Sequence, residues 1–101
     1  MQIIIIKSVK KFLRKLEPNL RTKVYRHIAM LTQHGLELGM PFSKRLIKNL
    51  YELRVLGILN VRIFYTTDKD LIWLLHAFIK TTHKTPQRHM ELGIKRLKDL
   101  T

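Results

Sequence analysis

The sequence predicts an α+β domain, and three observations carry that prediction. Two amphipathic helical stripes fill the first third of the chain, strand-forming segments follow one another between residues 50 and 80, and a last helical stripe closes the sequence. Strands run together with helices before and after them point to this class. The coarse order is (β)ααβββα, on a chain of 101 residues that makes one domain. A chain of this size can bury roughly 60–70% of the surface its unfolded form exposes.

Ile3, Ile4, Ile5 and Ile6 form a β-branched run, expected as a short strand or an extended N-terminal arm. Ser8 offers an N-cap to a helix over residues 9–16, whose stripe is Val9, Phe12, Leu13 and Leu16. Glu17, Pro18 and Asn19 interrupt it. Leu20, Val24, Ile28 and Leu31 then mark a second, longer helix ending near Gly35 as its C′ residue. Two helices joined by so few residues read as an antiparallel pair. Lys10, Lys11, Arg14, Arg21, Lys23 and Arg26 lie on their outer faces, either simply solvated or helping to hold a polyanion.

Residues 35–43, with Gly39 and Pro41, read as a loop, and Lys44, Arg45 and Lys48 lead from it into the strands. Those three serve solubility or, flanking the strands, contact backbone phosphates of a nucleic acid. Tyr51, Leu53 and Val55 alternate with Glu52 and Arg54, and Val61, Ile63 and Tyr65 alternate with Arg62 and Phe64, a period of two. A three-residue turn at 57–59, with Gly57 taking a special backbone angle, sets Val55 against Val61, Leu53 against Ile63 and Arg54 against Arg62. A two-residue turn would oppose Arg54 to Val61 and mix the faces, so burial selects the first register. Like charges directly opposite cost up to about 1 kcal/mol, so the arginine pair calls for solvent or for an anion such as phosphate, which arginine grips with a planar fork. Acidic Glu52 beside a solvated face is the alternative.

Asp68, Lys69 and Asp70 make a polar turn, and residues 71–80, LIWLLHAFIK, are apolar on both alternating sets, as a strand covered on both sides requires. Trp73 and Phe78 are expected in the core, with His76 as a satisfied core histidine. Residues 81–85 are polar and basic; Pro86 is placed at N1 of the last helix with Thr85 as N-cap. Met90, Ile94 and Leu97 form its stripe, and Lys95, Arg96 and Lys98 suit the negative end of its dipole.

Twenty Lys and Arg against seven Asp and Glu leave a net charge of +13, spread along the whole chain. Such a field points to a polyanionic partner, nucleic acid first and an acidic protein second, with salt-dependent binding. An anionic membrane is disfavoured because the charge is not confined to one amphipathic helix. The absence of cysteine excludes thiolate catalysis, disulfides and the usual zinc clusters, and the five histidines lack metal-ligand spacing. With no secretory core and no apolar run near 18 residues, the expectation is a soluble cytoplasmic protein.

At LYELR, NVRIFY, LLHAFIKTTHKTP and the closing GIKRL the chain resembles phage-related HigB-type toxins of the RelE superfamily, over residues 12–97. The motifs stand in fixed order: a helical hairpin, Lys-x-Leu at 44–46, a Glu-Leu-Arg strand, an Arg-x-x-Tyr strand, and Phe-x-Lys running into Lys-Thr-Pro. Two departures stand out: Thr81 follows Lys80 where the family usually has a second lysine, and Gly93 stands where alanine is common. RelE-like relatives carry a stacking tyrosine near the C-terminus, about where this chain has Met90.

The resemblance implies a RelE-like compact domain, an N-terminal helical hairpin and a C-terminal helix packed on a small curved antiparallel sheet. It also implies the toxin of a type II toxin–antitoxin system: a ribosome-dependent mRNA endonuclease held inactive by a helix-turn-helix antitoxin, oligomeric only through that complex. Attack of a 2′-hydroxyl on the adjacent phosphate needs charge stabilisation and proton transfer and no cofactor or metal. In that role Arg54 and Arg62 would clamp the phosphate, Lys80, His83 and Lys84 would stabilise charge or move protons, and Glu52 would orient an arginine or act as base. Lys44, Arg45 and Lys48 would bind RNA. The same fold also serves ParE-like inhibitors of DNA gyrase, a non-catalytic alternative; the clustered arginines favour the nuclease, since a protein-binding inhibitor needs no phosphate clamp.

Overall fold

The structure is a computed structural model that describes residues 1–100. Strand β1 (Gln2–Ile5) leads into helices α1 (Lys7–Arg14) and α2 (Pro18–His34) and a 3₁₀ turn (Gly35–Glu37). Four strands follow, β2 (Ser43–Ile47), β3 (Leu50–Val55), β4 (Asn60–Asp68) and β5 (Leu71–Lys80), and α3 (Gln87–Asp99) ends the order. They build one five-stranded sheet in the order β1-β5-β4-β3-β2, antiparallel except where β1 runs parallel to β5. The α+β class is the one expected, and β1 is a strand.

Three local expectations are corrected. Helix α1 begins two residues early: Ile6 is its N-cap, its carbonyl accepting from the Val9 and Lys10 amides, and Ser8 lies inside the first turn. Pro86 is the N-cap of α3 rather than N1, its carbonyl accepting from His89 and Met90, so Thr85 lies outside the helix. The loop read over residues 35–43 gives way at Ser43 to strand β2, which pairs with β3. Its sequence, SKRLI, is short, basic and mostly exposed, as a sheet edge protected against pairing with other chains should be.

Helix α2 begins as its sequence asks, with Pro18 at N1 and the Glu17 carboxylate accepting from the Leu20 amide. Gly35 ends it at φ 58°, a backbone angle glycine adopts without steric penalty.

The sheet is covered on both faces. On one, α1 lies over β5 and α2 over β3, and Val9, Leu13, Leu16, Val24, Ile28 and Leu31 pack on Leu53, Val55, Val61, Ile63, Tyr65, Ile72 and Leu74. Leu53, Val55, Val61, Ile63 and Tyr65 among them are alternating residues of β3 and β4 assigned to an apolar face. On the other, Met90, Ile94 and Leu97 of α3 cover Leu50, Phe64, Leu75 and Phe78. Gly93 lets α3 come close: a Cβ there would stand 2.6 Å from Cδ2 of Phe64. An extra residue in β2, near Leu46, and another in β5, Leu75, interrupt the ladders, and such bulges bend a sheet.

A candidate phosphate site on the α3 face of the sheet

The pairing of β3 with β4 has the register that burial selects: Val55 opposite Val61, Leu53 opposite Ile63 and Arg54 opposite Arg62. The turn does not need a left-handed glycine, however. The glycines with positive φ are Gly35 and Gly39, whereas Gly57 keeps an ordinary angle beside the Lys23 ammonium, which donates to the Leu56 carbonyl.

Side chains directly opposite in a ladder share a face, so the registers lay out the α3 face in rows. Arg54, Arg62 and Phe78 form one row across β3, β4 and β5. Asn60 and Lys80 lie on its loop side, and Lys44, Glu52, Phe64 and His76 form the row beyond. Lys80 is therefore on the arginine face, opposite Asn60 and one row from Arg62. Arg45 is not: it opposes Tyr51, and strand alternation carries it to the opposite face from Lys44. Lys48 sits exposed in the β2–β3 turn. His83 and Lys84 are exposed on the connection from β5 to α3, beyond the paired strands, where the Lys84 carbonyl accepts from the Thr82 hydroxyl.

The arginine face is not the solvated face considered as the alternative. Arg62 is only 5% exposed and Glu52 2%. Arg54 Nε donates to Glu52 Oε1 at 3.1 Å, and its Nη1 lies 3.7 Å from the Met40 sulfur. Glu52 thus orients Arg54. Arg62 Nε and Nη1 are buried and have no hydrogen-bond partner among the described residues. Burial pulls the Arg62 guanidinium below its ordinary pKa, the Glu52 carboxylate pushes back, and the Arg54 charge adds to the depression. Arginine stays protonated regardless, so two cations share one carboxylate, and a net positive charge sits in a poorly hydrated place. An unpaired buried donor costs about 1–3 kcal/mol, and more when charged. A phosphate at this row would offer oxygen acceptors to these uncommitted donors.

Beside this row stands a group that strand and helix periodicity did not single out. His89, in the first turn of α3, stacks on Phe78 with ring centroids 3.9 Å apart and planes 8° apart. Its Nδ1 is 2.8 Å from Nε2 of His76, whose Nδ1 is 3.2 Å from Nη1 of Arg96; the same Arg96 nitrogen donates to the Leu75 carbonyl at 2.8 Å. His76 is the bonded core histidine expected. Burial, His89 and Arg96 together lower its pKa to about 4. Arg96 is thus tied into the sheet rather than merely favoured at a helix end.

A profile of the phage-derived Gp49-like protein family (DUF891) matches residues 11–98. The chain belongs to this family. No curated protein matches it. In this Gp49-like protein the match runs from α1 to the last turn of α3, and so includes every strand that builds the arginine row. Among the described residues, no cluster of His, Asp or Glu is arranged to hold a metal ion, and no helix is long and apolar enough to cross a membrane. A concavity lies away from the row, between the start of α2 and the β3–β4 turn, lined by Leu20, Lys23, Ile58 and Leu59 among others. Its lining offers a phosphate one lysine and no arginine.

Proposed function

We propose that this Gp49-like protein is a HigB-type toxin of a type II toxin–antitoxin system, acting as a ribosome-dependent, metal-independent endoribonuclease on mRNA. The observation that carries the reading is Arg62, a buried guanidinium with two unpartnered nitrogens set against Arg54. In RNA cleavage by the neighbouring 2′-hydroxyl, the proton leaves that oxygen, the oxygen bonds to phosphorus, and the 5′-oxygen departs with a proton. Negative charge grows on the non-bridging phosphate oxygens, where preorganised donors in a desolvated site are most effective. Arg62 and Arg54 supply those donors, with Arg54 held by Glu52. Lys80, opposite Asn60 at the end of β5, neutralises charge on the same phosphate in this reading. His83 and Lys84, exposed on the connection that follows β5, stabilise charge or move protons, and Lys44 on the arginine face meets the flanking backbone. Arg45 and Lys48 would touch RNA elsewhere.

A +13 surface fits a ribosomal partner and an antitoxin of acidic contact surface, and such a toxin works in the cytoplasm. Adding the purified protein to ribosomes translating a defined message and mapping RNA ends tests the reading. New ends within the message, lost in Arg62→Lys and insensitive to EDTA at a fixed free magnesium concentration, are the expected result. Intact RNA with inhibited gyrase supercoiling would replace the nuclease with a ParE-like inhibitor.

A further inference from the structure

The chain of contacts from Arg96 to His89 has a direction. A guanidinium can only donate, so the Arg96 Nη1 contact at 3.2 Å makes His76 Nδ1 the acceptor and places the His76 proton on Nε2. That proton points at His89 Nδ1, 2.8 Å away, which must then accept. His89 is left with its proton on Nε2, the nitrogen that bonds to no other described residue, while its ring lies flat on Phe78, the cross-strand neighbour of Arg62. We propose that Arg96 and His76 are positioning residues that lock His89 as a neutral Nε2–H donor for the same phosphate oxygens as Arg62. This rests on the phosphate-site reading above and specifies which proton His89 offers.

The groups around His89 agree in sign. Burial lowers its pKa and Arg88 on its own helix lowers it further, while His76 and Arg96 face its other nitrogen. A second proton on Nδ1 would meet the His76 Nε2–H head-on, so the lock excludes the imidazolium as well as the other tautomer. His89 thus cannot serve as the base at Nε2. It is a fixed dipole aimed at charge that develops.

The test uses the intact protein with ¹⁵N-labelled histidine at pH 7. His89 should give the pattern of protonated Nε2 and bare Nδ1, and so should His76; a protonated Nδ1 at His89 or a charged ring would overturn the proposal. Arg96→Met should release the lock, bringing an Nδ1–H population at His89. If that variant is unfolded by circular dichroism, His76→Leu removes the same donor and should give the same result. An unchanged His89 in a folded variant overturns the role of the relay. Inorganic phosphate is then the probe of the site: shifts at His89 Nε2 and Arg62 Nε with one common dissociation constant support the proposal. A shift at Arg62 alone overturns the donor while sparing the arginine clamp, and a shift at neither overturns the clamp as well. In single-turnover cleavage on ribosomes, His89→Ala should lose about 100-fold, with His89→Gln, whose amide can donate from a similar position, recovering much of the loss. Equal rates for wild type and His89→Ala would overturn the donor role even with the tautomer as stated.

Discussion

Arg62 is a residue whose energetic and functional demands oppose each other. A guanidinium buried with unpaired nitrogens destabilises the free protein, so Arg62→Met, similar in length and without the charge, should raise stability by about 1 kcal/mol or more while abolishing RNA cleavage. Thermal unfolding and the cleavage assay check both halves; a lower melting temperature would contradict the desolvation argument. The pairing of Arg54 with Arg62 was legible in the alternation of LYELR and NVRIF, because register follows from which face is apolar. Burial of the pair was not, since it depends on what covers the second face. His76 makes stability depend on pH. Its folded pKa of about 4 lies below the unfolded value of 6.5, so at neutral pH both states are uncharged and it costs nothing. As pH falls from 6.5 to 4 the unfolded chain takes up a proton that the folded one refuses, and stability drops by up to about 3 kcal/mol, levelling off below pH 4. Urea titrations at pH 7.5, 5.5 and 4 should show this loss in wild type and a smaller one in His76→Gln.

At the level of elements, α3 is positioned by what Gly93 lacks. Alanine there would gain up to about 1 kcal/mol of helix propensity but place its Cβ 2.6 Å from the buried Phe64 ring, and overpacking of this kind costs about 1–3 kcal/mol. Gly93→Ala should therefore lower the urea midpoint. It should also disturb the His76–His89 contact, readable as a changed His89 nitrogen resonance. Helix stripes, the hairpin and β5 were visible in the chain because each buries a periodic set of side chains. Strand β2 was not: at a sheet edge SKRLI buries little and carries charge, so its strand character comes from pairing with β3 rather than from its own pattern. His89 left no trace for a related reason, as one histidine in a basic segment means nothing until the sheet brings His76 and Phe78 beneath it.

Across the whole molecule, the two helical layers divide the charge. Lys10, Lys11, Arg14, Arg21, Lys23 and Arg26 ride on α1 and α2, over the face opposite the arginine row. Within the proposed function they meet ribosomal RNA and not the scissile phosphate. Changing Lys10, Lys11 and Arg14 to Gln should weaken ribosome association and lower the slope of log affinity against log salt by about one for each phosphate that is no longer neutralised. Single-turnover cleavage on saturated ribosomes should stay nearly unchanged, because the interaction removed is the same in ground and transition states. Arg54→Ala should do the reverse, cutting the rate at saturation with little effect on affinity. Loss of chemistry in the helix variants alone would put the site on the opposite face.

The parallel seam between β1 and β5 joins segments far apart in the chain, in time as well as in space. Gln2 through Ile5 are made well before their partners, Leu71 through Leu74, which follow every other strand, and His89 comes later still. Helices α1 and α2 can form early, but the sheet that gives them something to cover waits for β5, so folding should be slow and nearly all-or-none. Trp73 on β5 offers the probe: its fluorescence should recover in one phase together with the far-ultraviolet signal on dilution from urea. Within the proposed function, a nascent chain made only as far as β4 has Arg54 and Arg62 but neither Phe78 nor His89 beside them, and so lacks the assembled site.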